Sequence, residues 1–128
     1  MALTFEIRDG LMEIKFHGDV LADDFLRLVD LMQAAESRLE VSPDRILDFS
    51  ESSFMHLATF ELINFATRRN YALLKNEVKA AIIAPKPEQY GHARLVQTYN
   101  QNPKIKVRVF NDAASAYEWL GRAAKAGG

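Results

Sequence analysis

The sequence predicts one α/β domain of element order β-β-α-β-α-β-α-β-α, an antiparallel hairpin followed by parallel strands. Three observations lead there. Apolar residues alternate with period two on both sides of Asp9-Gly10. After Gly18 they recur at three- and four-residue steps, the period of a helix. Short apolar runs then take turns with helical segments to the end of the chain. A length of 128 residues suits one domain, assigned to 1–126, with 127–128 as a frayed end.

Leu3 to Arg8 is β1, with Leu3, Phe5 and Ile7 on one face. Asp9-Gly10 supplies the two positive φ angles of a type I′ turn, and Leu11 to His17 is β2, with Met12, Ile14 and Phe16 facing one way. The first helix carries Phe25, Leu28, Val29, Met32, Ala35 and Leu39 on one face, with Asp23 and Asp24 in its first turn. Ser42-Pro43 closes this region, because proline lacks a donor. Arg45 to Phe49 is β3, Thr59 to Lys75 the second helix, and Val78 to Ala84 the buried β4, stopped by Pro85. Pro87 opens a third helix that runs to Gln101. Lys104 to Phe110 is β5, and Asp112 caps a last helix through Ala124. Right-handed crossovers make β2 to β5 parallel neighbours. One face of β1, β2 and β5 is charged, so helices are expected mainly on the other face, with β5 at an edge.

Composition narrows the function classes. Sixteen Lys and Arg stand against seventeen Asp and Glu, a balance unlike that of a dedicated nucleic-acid binder. Without cysteine there is no thiolate zinc site, disulfide framework or cysteine nucleophile. No apolar run approaches the ~18 residues of a membrane-spanning helix, and the N-terminus has no secretory pattern. A cytoplasmic location is expected, with peripheral membrane contact as a variant.

Three stretches, taken in this order, resemble the SpoIIAA-like branch of the STAS domain superfamily: Gly18 to Phe25 (GDVLADDF), Arg45 to Ser50 (RILDFS) and Val107 to Leu120 (VRVFNDAASAYEWL). The resemblance covers nearly the whole chain and implies a domain that acts by binding, with no cofactor. Its relatives include bacterial anti-sigma factor antagonists, which carry Asp-Leu-Ser after β3. An Asp followed by a phosphorylated Ser or Thr then opens the second helix. Asp48, Phe49 and Ser50 match the first part, and His56 stands where the second Asp would be. Leu57 and Ala58 occupy the acceptor positions and have no hydroxyl, so the resemblance implies a member without the phosphorylation switch. Leu21 stands where a capping Thr is common. In architecture the branch is also similar to CRAL-TRIO lipid-carrying domains, in which a mobile helix opens over an apolar groove, a likeness of fold only.

Two clusters carry candidate chemistry. Ser50, Ser52, Ser53 and His56 follow β3, where open α/β sheets place ligands, and a helix N-terminus comes next. Asp48 is expected to orient that loop through hydrogen bonds. The cluster reads either as a pocket for a phosphate or carboxylate or as a polar turn that caps the helix; without a Gly-rich cradle the second reading leads. A Ser50–His56–Asp48 hydrolase lacks the Gly-x-Ser-x-Gly elbow, and His17, His56 and His92 have no metal-ligand spacing. Arg68, Arg69, Lys75 and Lys79 read either as a patch for phospholipid headgroups or as cations near the end of the second helix that face water, and the second reading leads. Trp119 and Tyr117 read as core and core-edge residues.

The second cluster is apolar. Phe54, Met55, Leu57, Phe60, Leu62, Ile63 and Phe65 give the second helix a wider apolar arc than a helix lying on a sheet needs. Phe60 and Phe65 project from different faces, so at most one of them is core. The expected function is a non-enzymatic regulatory or interaction module that recognises a protein partner and forms a homodimer through this helix or the loop before it. The alternative is a domain for a lipid-like ligand or a membrane surface, with the second helix as a lid.

Overall fold

The computed structural model of the chain describes residues 2–123. Strands β1 (Leu3–Arg8), β2 (Leu11–Leu21), β3 (Asp44–His56), β4 (Val78–Ile83) and β5 (Ile105–Phe110) form one sheet in the order β1-β2-β3-β4-β5. β1 runs antiparallel to β2, and every other pair is parallel. Helices α1 (Ala22–Arg38), α2 (Thr59–Asn70), α3 (Pro87–Tyr99) and α4 (Ala113–Trp119) join and follow the strands. This is the predicted fold class and order. Asp9 and Gly10 take φ of 53° and 72° between paired Arg8 and Leu11, as a type I′ turn requires.

The main core lies between one sheet face and α1, α2 and α3. Met12, Ile14, Phe16, Leu47, Phe49 and Ile82 meet Phe25, Leu28, Met32, Leu62, Phe65 and Ala93 there. A smaller core on the opposite face puts Ala116 and Leu120 against Leu11, Ile46, Ala81 and Ile83. Helices therefore cover mainly one face, with α4 alone on the other. Beside α4 the second face is wet and carries Glu6, Arg8, Glu13 and Lys15. β5 is an edge strand, as its alternating charge implied.

Several boundaries differ from the sequence reading. β2 continues past His17 to Leu21, and β3 past Phe49 to His56. Pairing steps from Lys15↔Asp48 to His17↔Glu51, and from Gly18↔Ser52 to Val20↔Met55. Each step gives β3 one extra residue, a bulge. Burial along β3 then falls at Phe49, Ser52 and Met55, every third residue, so the alternation that announces a strand disappears. Ser50, Ser52, Ser53 and His56 thus lie on a strand and not on a loop.

α2 ends at Asn70 rather than Lys75. Asn102, from the segment before β5, donates through Nδ2 to the carbonyls of Arg69 (2.9 Å) and Ala72 (3.2 Å) and caps the helix from far along the chain. α3 stops at Tyr99 because Asn70 donates to the Tyr99 carbonyl (3.1 Å) and accepts the Gln101 N–H (2.7 Å). α4 stops at Trp119 instead of reaching Ala124. Gly121, at φ 73°, turns the chain while its own N–H and that of Arg122 return to Glu118 and Tyr117. Ala124 and the expected frayed end lie outside the described residues. Among the described residues no helix is long and apolar enough to cross a membrane.

Candidate functional site at the β2–β3 arm and the α1/α2 groove

β4 pairs with β3 only from Arg45 to Asp48. Beyond that point β2 and β3 continue alone as a two-stranded arm, and the arm feeds both α1 and α2. Neither helix has a capping side chain at its N-cap, since those positions are Leu21 and Ala58. The third helical residue reaches back instead: Asp24 accepts the Leu21 N–H at 2.8 Å, and Glu61 accepts the Ala58 N–H at 2.9 Å. Asp24 also accepts the Ala2 N–H, which ties the start of the chain to α1. Inside the arm Phe16 stacks on Phe49 at 4.3 Å between ring centroids, and Phe25 meets Phe65 edge-on at 5.0 Å.

The first turns of α1 and α2 enclose a groove of about 370 Å³. Phe25, Val29 and Phe65 make its floor, and Leu26, Leu57 and Phe60 line it as well. Phe65 is 5% exposed and Phe60 72%, so one phenylalanine of α2 is core and the other stands in solvent. Glu61, Asn64 and Arg68 supply the polar part of the lining.

The structure disperses the serine–histidine cluster. Asp48 and Ser50 border an open cleft on the wet sheet face, beside Glu6, Arg8, Glu13, Lys15 and Tyr117. Asp48 Oδ1 accepts the Ser50 N–H at 2.9 Å and so orders the first bulge, the orienting role expected of it. Charges in and around this cleft are paired: Arg8 with Glu6 and Glu13 (3.4 and 3.1 Å), Lys15 with Glu51 (2.5 Å). The Lys15 ammonium holds the exposed Glu51 carboxyl below its ordinary range, mainly through their hydrogen bond.

Ser52 points the other way and is 1% exposed. Its hydroxyl donates to the Phe49 carbonyl (2.7 Å) and accepts from Gln89 Nε2 (2.8 Å). Ser53 is exposed on the arm. His56 lies at the arm's end, 3.5 Å from Asp19 and 4.6 Å in ring centroids from Phe54. Six strand steps from Ser50 to His56 span roughly 20 Å at about 3.3 Å each, so no Ser50–His56–Asp48 triad is assembled. His17, His56 and His92 lie on β2, β3 and α3.

Sequence reasoning missed a buried ion cluster. Glu36 of α1 receives Arg45 Nη1 at 2.5 Å and also Arg69 Nη2. The three residues are 3%, 1% and 4% exposed. Arg69 therefore does not face water, and neither does all of the basic stretch: Lys79 donates to the Trp119 carbonyl (3.1 Å) with its ammonium 5.3 Å from the indole centroid. Burial pushes the Arg45 guanidinium below its ordinary pKa, against the pull of Glu36. A signal existed in the sequence: Glu36 continues the Val29–Met32 helical stripe, and Arg45 stands two residues before inward Leu47.

No protein-family model matches the sequence, and a comparison with curated proteins returns no match. Among solved structures, the chain is similar to an uncharacterised DUF3478 protein with a SpoIIAA-like fold from Shewanella loihica PV-4. Identity is 18% and TM-score 0.60, over 93% of this chain and 92% of that one. It is also similar to the anti-sigma factor antagonist SpoIIAA in its unphosphorylated form. There identity is 14% and TM-score 0.56, over 94% of this chain and 96% of that one. The chain has a SpoIIAA-like fold.

Proposed function

We propose that this chain is a non-enzymatic regulatory module of the STAS type that works in the cytoplasm by protein docking through the α1/α2 face. The exposed Phe60 carries this reading. A phenylalanine 72% in solvent, beside a groove floored by buried aromatic rings, is what a protein–protein anchor looks like before its partner arrives. The similarity to an anti-sigma factor antagonist supports a regulatory role. Leu57 and Ala58, which stand in place of the phosphoacceptor, support regulation by association rather than by phosphate on this segment. The proposed occupant is a second copy of the chain, with Phe60 of each copy covered in a homodimer.

A second reading has its own observation. The groove volume falls within the ~300–1,000 Å³ of small-ligand pockets, and Arg68 stands in its lining as a cation for an acidic headgroup. A lipid-like molecule would then lie between α1 and α2, with α2 as its cover. Phe60→Asp separates the readings in one experiment, read by light scattering, melting temperature and flotation with anionic liposomes. A folded monomer from a dimeric parent supports docking. An unchanged oligomeric state with loss of liposome binding supports the lipid reading. No change in either measurement sinks both.

A further inference from the structure

The two margins of the sheet are finished differently. On β5 the Lys104 carbonyl accepts the Val78 N–H and the Phe110 carbonyl that of Ala84, so Ile105, Val107 and Val109 turn their main-chain groups outward. Helix α3 and the turn after it cover part of that margin. Asn100 donates through Nδ2 to the Ile105 carbonyl at 2.8 Å, and Gln97 through Nε2 to the Val107 carbonyl at 3.2 Å.

β1 has no such cover. Arg8 and Leu11 flank a two-residue turn and so exchange both main-chain bonds, and the His17 N–H meets the Ala2 carbonyl at 2.7 Å in the same phase. Ala2, Thr4, Glu6 and Arg8 therefore spend their main-chain groups on β2. Leu3, Phe5 and Ile7 each turn one N–H and one C=O to the outside, and among the described residues nothing bonds to them there. The side chains of Phe5 and Ile7 are half-buried against the main core, while Thr4, Glu6 and Arg8 are exposed on the other face. An open edge of this kind is a template for another strand.

A second β1 fits it. With the strands antiparallel and a two-fold axis at Phe5, Leu3 lies opposite Ile7 of the second copy and Phe5 opposite Phe5. Each such pair exchanges two bonds, so every outward group of both strands is used. On the wet face Thr4 falls opposite Glu6 of the second copy, and no like charges stand directly opposite. Moving the axis to Glu6 would set the two Glu6 carboxylates against each other. β5 offers no equivalent, since its central antiparallel registers set cations opposite cations, Lys106 facing Arg108 when Val107 is on the axis.

We propose that β1 is a self-pairing edge, through which two copies of the chain join antiparallel at Leu3, Phe5 and Ile7 into one continuous sheet, with five strands from each. The contact is narrow and made largely of main-chain bonds, so it forms at high protein concentration and not in dilute solution. It shares no residue with the α1/α2 groove and does not rest on the docking reading.

The test uses Phe60→Asp, which removes the α2 face as a source of association. Its mass by sedimentation equilibrium should rise from monomer towards dimer as concentration is raised. Adding Thr4→Glu should hold the mass at the monomer value, because carboxylates then stand opposite each other at both ends of the contact. Within one chain the new carboxylate lies across from Lys15, so the fold is kept. Thr4→Lys, which sets an ammonium opposite Glu6 of the second copy, should keep or strengthen the association. The unaltered protein gives an independent reading. Amide exchange at Leu3, Phe5 and Ile7 should slow with rising concentration, by about twofold when half the chains are paired. Exchange at these three amides that ignores concentration would overturn the proposal. So would a mass increase that survives Thr4→Glu, or one that Thr4→Lys abolishes.

Discussion

Gln89 Nε2 lies 2.8 Å from the Ser52 hydroxyl and so joins the first turn of α3 to the β3 strand of the arm. The same nitrogen donates to the Phe49 carbonyl at 2.7 Å, and Gln89 Oε1 accepts the Lys86 N–H at 3.0 Å. Gln89→Leu removes the buried bonds that Gln89 makes to the Phe49 carbonyl, the Ser52 hydroxyl and the Lys86 N–H, and should lower stability by about 1–3 kcal/mol. Ser52→Ala removes two bonds, the hydroxyl's own to the Phe49 carbonyl and the one it accepts from Gln89, while Gln89 keeps the Phe49 carbonyl, and should cost about 1 kcal/mol. Urea unfolding of the two variants checks the order.

Phe65→Ala empties the site under Phe25 and should cost about 3–5 kcal/mol, a large part of the stability of a domain this size. Thermal melts of Phe65→Ala beside Phe60→Ala should show a large drop for the first and little change for the second.

Phosphate should not accumulate on the arm in the manner of an antagonist switch. Ser52 is sealed beneath Gln89, and the positions before α2 are Leu57 and Ala58. After incubation with an anti-sigma-type kinase, phosphopeptide mapping should find residues 50–58 unmodified; stoichiometric phosphate on Ser50 or Ser53 would restore a switch.

Asp112 accepts the Ser115 N–H at 2.7 Å at the start of α4, and that bond holds its carboxyl below its ordinary range. A depressed folded pKa means stability present above the unfolded value and lost as pH falls through the folded one. Asp112→Asn keeps the acceptor without the charge. It should be less stable than the parent at neutral pH, and the gap should close in acid once Asp112 is protonated. Urea midpoints at the two ends of that range decide it.

Where local physics decided the structure, the sequence was readable. The hairpin followed from Asp9-Gly10, α1 from its apolar stripe, and the edge position of β5 from Lys106 and Arg108. Distant partners hid the rest. The arm was invisible because two bulges replace a two-residue step with a three-residue one. The end of α2 depends on Asn102, and Arg69 reads as a solvent cation until Glu36 is placed beside it. For the candidate site, the opposed faces of Phe60 and Phe65 were legible from helical spacing. The separation of Ser52 from Asp48 and Ser50 was not, since it turns on the phase of the bulged strand.

The strand order in space, β1-β2-β3-β4-β5, repeats the order in which a ribosome makes them. Each strand therefore emerges next to an edge that already exists, and none has to be threaded between two earlier ones. Neighbour-to-neighbour pairing also keeps loop closures short, which favours rapid folding. β5, the last strand made, is also the outer edge of the sheet, and Lys106 and Arg108 leave that edge charged.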